Sequence, residues 1–158
     1  MLWKHLKKTL VLNVKNYSKI KPIFAAIWDK KANLKLASRS NDSQSWYLRQ
    51  SVQDEDYDIR GITLDEILKE NNIVEIDILK VDIEGAEKQL FSLSCKKWIN
   101  SVKCIIMEAP DTDSPQCTIE IFKVFNEAGF TFNTFISGEN LVLIRSDVNW
   151  QCKSVERY

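Results

Sequence analysis

Two apolar runs of strand length, a helix apart, constrain the fold more than any other feature: "IDILKVDI" at residues 76–83 and "VKCIIM" at 102–107. In the first, Ile76, Ile78, Leu79, Val81 and Ile83 suit a strand buried inside a sheet rather than a half-wetted one. The segment between the runs, roughly 85–98, reads as a helix, so the pair forms a strand–helix–strand unit. Each run delivers a carboxylate where it ends, Asp82 in the first and Glu108 in the second.

The remaining chain extends this alternation. Residues 2–14 read as an amphipathic helix with Trp3, Leu6 and Leu10 on one side, and "KPIFAAIWD" at 21–29 as a short strand closed by Asp29. "NLKLAS" alternates with period two, and 38–60 is a polar loop or small hairpin insertion whose acidic "QDEDYD" is a solvated loop. A helix start is marked at "GITLDEILKENN": Thr63 caps, Glu66 completes the capping box, Ile67 and Leu68 turn inward, and the helix ends near Asn71 and Asn72. A helix over 118–128 turns Ile119, Phe122 and Phe125 inward and stops at Gly129. "FTFNTF" and "NLVLIRS" then flank "ISGEN" as an antiparallel hairpin. The expectation is a doubly wound α/β sheet in a single domain over 1–158, with its core at about 10–146 and a loose polar tail from 147.

Composition sets the class. Hydrophobic content of 44% with 28% charged residues is that of a chain that folds around a core. No apolar run approaches the roughly 20 residues of a membrane helix, and the N-terminus lacks the apolar stretch and cleavage site of a secretory signal. A cytoplasmic location is expected, with Cys95, Cys104, Cys117 and Cys152 as free thiols and no zinc site. Net charge is zero, yet residues 1–40 hold ten Lys or Arg against one acid, Asp29. The lysines of 3–15 fall mostly opposite Trp3, Leu6 and Leu10, which reads as a solvated helix face, so neither nucleic acid nor membrane is expected as a partner.

Lys80, Asp82 and Glu84 occupy alternate positions and share one side if the strand persists that far. Charges on a buried strand are costly unless they are paired or lie at its open end. In open α/β sheets that end is the carboxyl edge, where ligands bind. If the two strands are neighbours, Asp82, Glu84 and Glu108 converge there. Such a group can accept a proton from a hydroxyl, hold a cationic ligand or bind a divalent cation. Lys80 reads as the cation that neutralises them, with a catalytic role as the alternative. Glu84 and Glu87 also stand where acids favour a helix start through its dipole.

"ITLDEIL", then "IDILKVDIEGAEKQLF", then "IIMEAP" resembles the FkbM-type S-adenosylmethionine-dependent methyltransferases in order and spacing. The likeness extends back through "NVKNYSKIKPIFAAIWDKKANLKL" and covers about residues 10–145. It implies a class I, Rossmann-like methyltransferase fold, with Asp82 and Glu84 beside the methyl donor and acceptor and Glu108 at the end of the next strand. It also implies Asp29 near the adenine side of the cofactor, Asp65 on the helix below, and transfer chiefly to hydroxyls of sugars or small metabolites. Such enzymes cradle the cofactor on a glycine-rich loop. Here Gly61, Gly85, Gly129 and Gly138 are the only glycines, the closest pair nine residues apart. The expectation is therefore a C-terminal portion of the fold, completed by an upstream segment or an oligomer partner at an open sheet edge. A non-catalytic partner-binding module and a divalent-cation enzyme using the acidic cluster stay open beside it.

Overall fold

The computed structural model describes residues 2–38, 46–52, 55–83, 86–108 and 116–149. The chain is mixed α/β, but its strands form two sheets rather than the single doubly wound sheet expected. The first sheet holds β1 (Ala26–Ile27), β2 (Ala32–Ser38), β3 (Trp46–Gln50) and β4 (Ile59–Ile62), in the order β1-β4-β2-β3. The second holds β5 (Ile76–Val81), β6 (Val102–Glu108), β7 (Phe132–Ser137) and β8 (Asn140–Arg145), in the order β5-β6-β8-β7.

The expected strand at 21–29 shrinks to two residues, because Pro22 cannot donate to a ladder and β1 has a partner on one side alone. That partner is β4, in parallel, with Ala26 opposite Gly61 and Ile27 opposite Ile62. The approach is close: a Cβ on Gly61 would lie 3.1 Å from the Trp28 Cβ and 3.2 Å from Leu34 Cδ1. The insertion does fold as a hairpin, β2 against β3, and its return adds β4 antiparallel to β2. The acidic stretch is more than solvated loop. Arg49 grips Glu55 through Nη1 and Nη2 at 2.8 and 2.6 Å, and Asp58 accepts from the Leu36 amide at 2.9 Å.

Helix α1 (Leu2–Val14) forms as expected, yet Leu10, Val11 and Leu12 are exposed, so the inward turn of Leu10 is not realised; the side chains of Trp3 and Leu6 lie outside the described ones. Helix α2 (Leu64–Glu70) has the anticipated capping box: Thr63 Oγ1 accepts from the Glu66 amide, and the Glu66 carboxylate accepts from the Thr63 amide. Leu68 is buried and Ile67 half-buried. The helix foreseen at 85–98 is shorter: α3 (Glu87–Leu90) gives way to 3-10 turns over Leu93–Lys97 and Ile99–Ser101. Ser92 breaks it in an extended conformation, its hydroxyl 2.9 Å from that of Ser94. Helix α4 (Cys117–Glu127) buries Ile121 and Phe125 and half-buries Phe122, while Ile119 points to solvent, 69% exposed. With 100° per residue Ile119 lies across the helix from Ile121, so both cannot face the core. Gly129, at φ 68°, ends the helix in the left-handed conformation that favours glycine.

The larger core packs α2, α3 and α4 on one face of the second sheet: Val81, Ile105, Met107 and Leu143 meet Phe91, Trp98, Ile121 and Phe125. Phe125 sits at its centre, with Phe91 at 5.2 Å and Phe130 at 5.3 Å between ring centroids. A smaller core gathers Trp28, Leu34, Ile59 and Ala86. Ile83 packs against both. Cys95, Cys104 and Cys117 are buried, and Cys152 lies outside the described residues. At the start of the tail expected loose from 147, Asp147 accepts from Arg145 Nε at 2.6 Å; residues 150–158 lie outside the described residues. No described helix is long and apolar enough to cross a membrane.

Candidate active site

β5 and β6 run parallel with Val81 opposite Met107. Asp82 follows Val81 just beyond the end of β5, and Glu108 follows Met107 as the last residue of β6. Both are exposed at the carboxyl end of the sheet, which is where two like charges are least costly. The hairpin supplies a third group: Asn140, at the start of β8, is the register partner of Glu108. Lys80 lies one pair back on the same side, and its Nζ stands 3.1 Å from Asn140 Oδ1 and 3.8 Å from Asp82 Oδ2. The side chains of Lys80 and Asp82 are 47% and 55% accessible, so this ion pair is worth no more than about 1 kcal/mol. What it supplies is a cation held beside carboxylates at a sheet edge open to solvent.

Glu84 and Gly85 lie outside the described residues. Glu87 is buried at the first turn of α3. Among the described residues no three His, Cys, Asp or Glu side chains converge to hold a metal ion, so the divalent-cation reading draws no support from Asp82 and Glu108 as they stand.

Asp29 stands apart from this edge. It is half-buried at the end of the first sheet, lining a small pocket with Trp28, Thr63, Asp65 and Trp98. Asp65 is engaged along α2, where it receives Lys69 Nζ at 2.8 Å. The two regions are joined through packing: Ile83, next to Asp82, contacts the cluster that contains Trp28, next to Asp29. Asn140 was not singled out from sequence, and Ile83 was read only as a strand residue, not as a link between the two cores. An asparagine after "SGE" reads as a turn residue, and only the register of β8 on β6 turns it toward the acids.

Together the edge offers two carboxylates that can accept a proton or orient a hydroxyl, an ammonium to balance them, and an amide that binds that ammonium. A family model, the methyltransferase FkbM domain, matches residues 4–136. No curated protein and no solved structure matches the chain. With the greater part of its length matched, the chain belongs to the FkbM methyltransferase family.

Proposed function

We propose that this chain contributes the acceptor side of an S-adenosylmethionine-dependent methyltransferase acting on a hydroxyl of a sugar or small metabolite. The observation that supports it is the parallel Val81–Met107 register, after which β5 is followed by Asp82 and β6 ends on Glu108, both within the matched region. One of the two carboxylates orients the acceptor hydroxyl and the other takes its proton, while Lys80 balances the pair. Holding the acceptor in place supplies much of the rate.

The pocket that Asp29 lines does not fit the cofactor. The pocket at Asp29 encloses about 40 Å³, far below the roughly 300 Å³ of a small-molecule site, and the glycine spacing excludes a cofactor loop of the usual kind. The cradle must then come from a further segment or a second chain, and β5 is where it would dock. It is the outermost strand of its sheet among the described residues, with Val74 and Ile78 87% and 55% exposed. The single-domain arrangement and the role of Asp29 on the adenine side belong to the same proposal.

Calorimetry with S-adenosylmethionine, on the chain alone and with candidate upstream segments added, tests the reading. Binding that requires the added segment is expected; no binding in either case sinks it. The exposed edge also favours a second reading, a non-catalytic module that pairs through β5. It predicts oligomers in light scattering and indifference to Asp82→Ala.

A further inference from the structure

Residues 7–24 are exposed almost throughout, with Val14 alone half-buried. Neither core takes a residue from this segment. Yet it is not polar: Leu10, Val11, Leu12, Tyr17, Ile20, Ile23 and Phe24 all show substantial apolar surface to solvent. It also carries no acid, since Asp29 is the first in the chain, while Lys4, Lys7, Lys8, Lys15, Lys19 and Lys21 precede it. A solvated face explains lysines but leaves seven exposed apolar residues unexplained.

The segment is held as one patch. Lys7 Nζ lies 5.5 Å over the Phe24 ring, which ties α1 to the stretch after it. Lys21 donates to Asn71 Oδ1 at the end of α2, which ties that stretch to the body of the protein. Lys8, Lys15 and Lys19 have no carboxylate partner among the described residues. Cations interleaved with aliphatic side chains on a surface helix and the stretch after it complement a layer that is anionic outside and apolar beneath. The composition argues against nucleic acid: the patch has no arginine for bidentate phosphate contacts, and its aliphatic residues gain nothing on a sugar–phosphate backbone. A second copy would bring like charge against like.

We propose that residues 7–24 form a docking surface for anionic lipid bilayers, with the lysines on the headgroups and Leu10, Leu12, Ile20 and Phe24 entering the interface. The inference is independent of the methyltransferase reading and replaces the expectation that this helix face is merely solvated.

Sedimentation of the full chain with vesicles tests it. Binding is expected to phosphatidylcholine vesicles containing about a third phosphatidylserine and not to phosphatidylcholine alone, at about 0.15 M salt, and to weaken markedly at about 1 M. The triple variant Lys8→Ala/Lys15→Ala/Lys19→Ala should bind on the order of a hundredfold more weakly. Leu10→Ser/Leu12→Ser should also weaken binding but leave its salt dependence in place. These side chains touch neither core, so circular dichroism and thermal melting of the variants should match the parent. Absence of sedimentation, equal binding to both vesicles, or displacement from the vesicles by single-stranded RNA would each overturn the proposal.

Discussion

Lys80 on β5 reaches over the intervening strand to Asn140 on β8, so residues sixty positions apart meet at 3.1 Å on the carboxyl edge. The contact spans the solvent-exposed edge beside Asp82 and Glu108. Because it is exposed, removing it with Asn140→Ala should lower stability by no more than about 1 kcal/mol, or roughly 2–4 °C in Tm. A fall well beyond that in differential scanning calorimetry would show that the edge is a structural clamp.

Glu108→Gln separates chemistry from folding. In the completed enzyme, loss of one carboxylate should reduce methyl transfer by roughly 10²–10⁴ while Tm stays within about 2 °C of the parent. Retained turnover of a labelled methyl group would remove Glu108 from the acceptor side.

The two inward expectations for α4 have opposite outcomes in the structure, and mutation should reproduce the contrast. Phe125 is fully buried among four other phenylalanine rings, so Phe125→Ala should cost about 3–5 kcal/mol. Ile119→Ala at an exposed position should stay within about 0.5 kcal/mol. Urea titration measures both, and comparable losses would contradict the helix orientation.

Glu66 serves two ends at once. Its carboxylate caps Thr63 and also takes Lys31 Nζ at 2.7 Å, which links α2 to the start of β2. Thr63→Ala should cost about 1 kcal/mol, and Glu66→Ala more than Glu66→Gln, because glutamine can still accept from the Thr63 amide. Equal melting temperatures for the two Glu66 variants would deny the capping role.

Acid should loosen the insertion at a definite pH. The Arg49 fork, aided by the Val52 amide, holds the Glu55 carboxyl at about 2, below its ordinary value of 4.5. A carboxyl whose folded value is depressed gives stability that is fully present above its unfolded value. That stability is lost as pH falls from about 4.5 toward about 2. The loss should be smaller in Arg49→Met. Parallel pH–stability curves for parent and variant across that window would exclude the pair as its source.

What was legible in sequence followed from short-range physics. The capping box at Thr63 and Glu66, the stop at Gly129 and the hairpin about Gly138 each depend on a few neighbouring residues, and each was found in place. The end of β6 at Glu108 was legible because an apolar run that closes on a charge must come out of the core, whereas β5, expected to be buried on both faces, is an outer strand among the described residues with Ile78 exposed. What was not legible depends on partners distant in sequence. β4, with an arginine and a glycine in four residues, is a strand because β1 and β2 flank it. Ile119 and Ile121 offer the same side chain two positions apart, and only the sheet beneath α4 decides which is covered. The division into two sheets is likewise a fact about pairing, since β1 takes β4 and leaves β5 at an edge.

Ile83 bears weight on both cores, and it is the residue next to Asp82. It acts as a keystone: the first sheet's small core holds the loop that carries the carboxylate, although that sheet contributes no group to the edge itself. Loosening Trp28, Leu34 or Ile59 would thus shift the charge at the edge while leaving the ladder of β5 on β6 intact. Substitutions in that small core would therefore move the Asp82 carboxylate in a protein whose main core is unchanged.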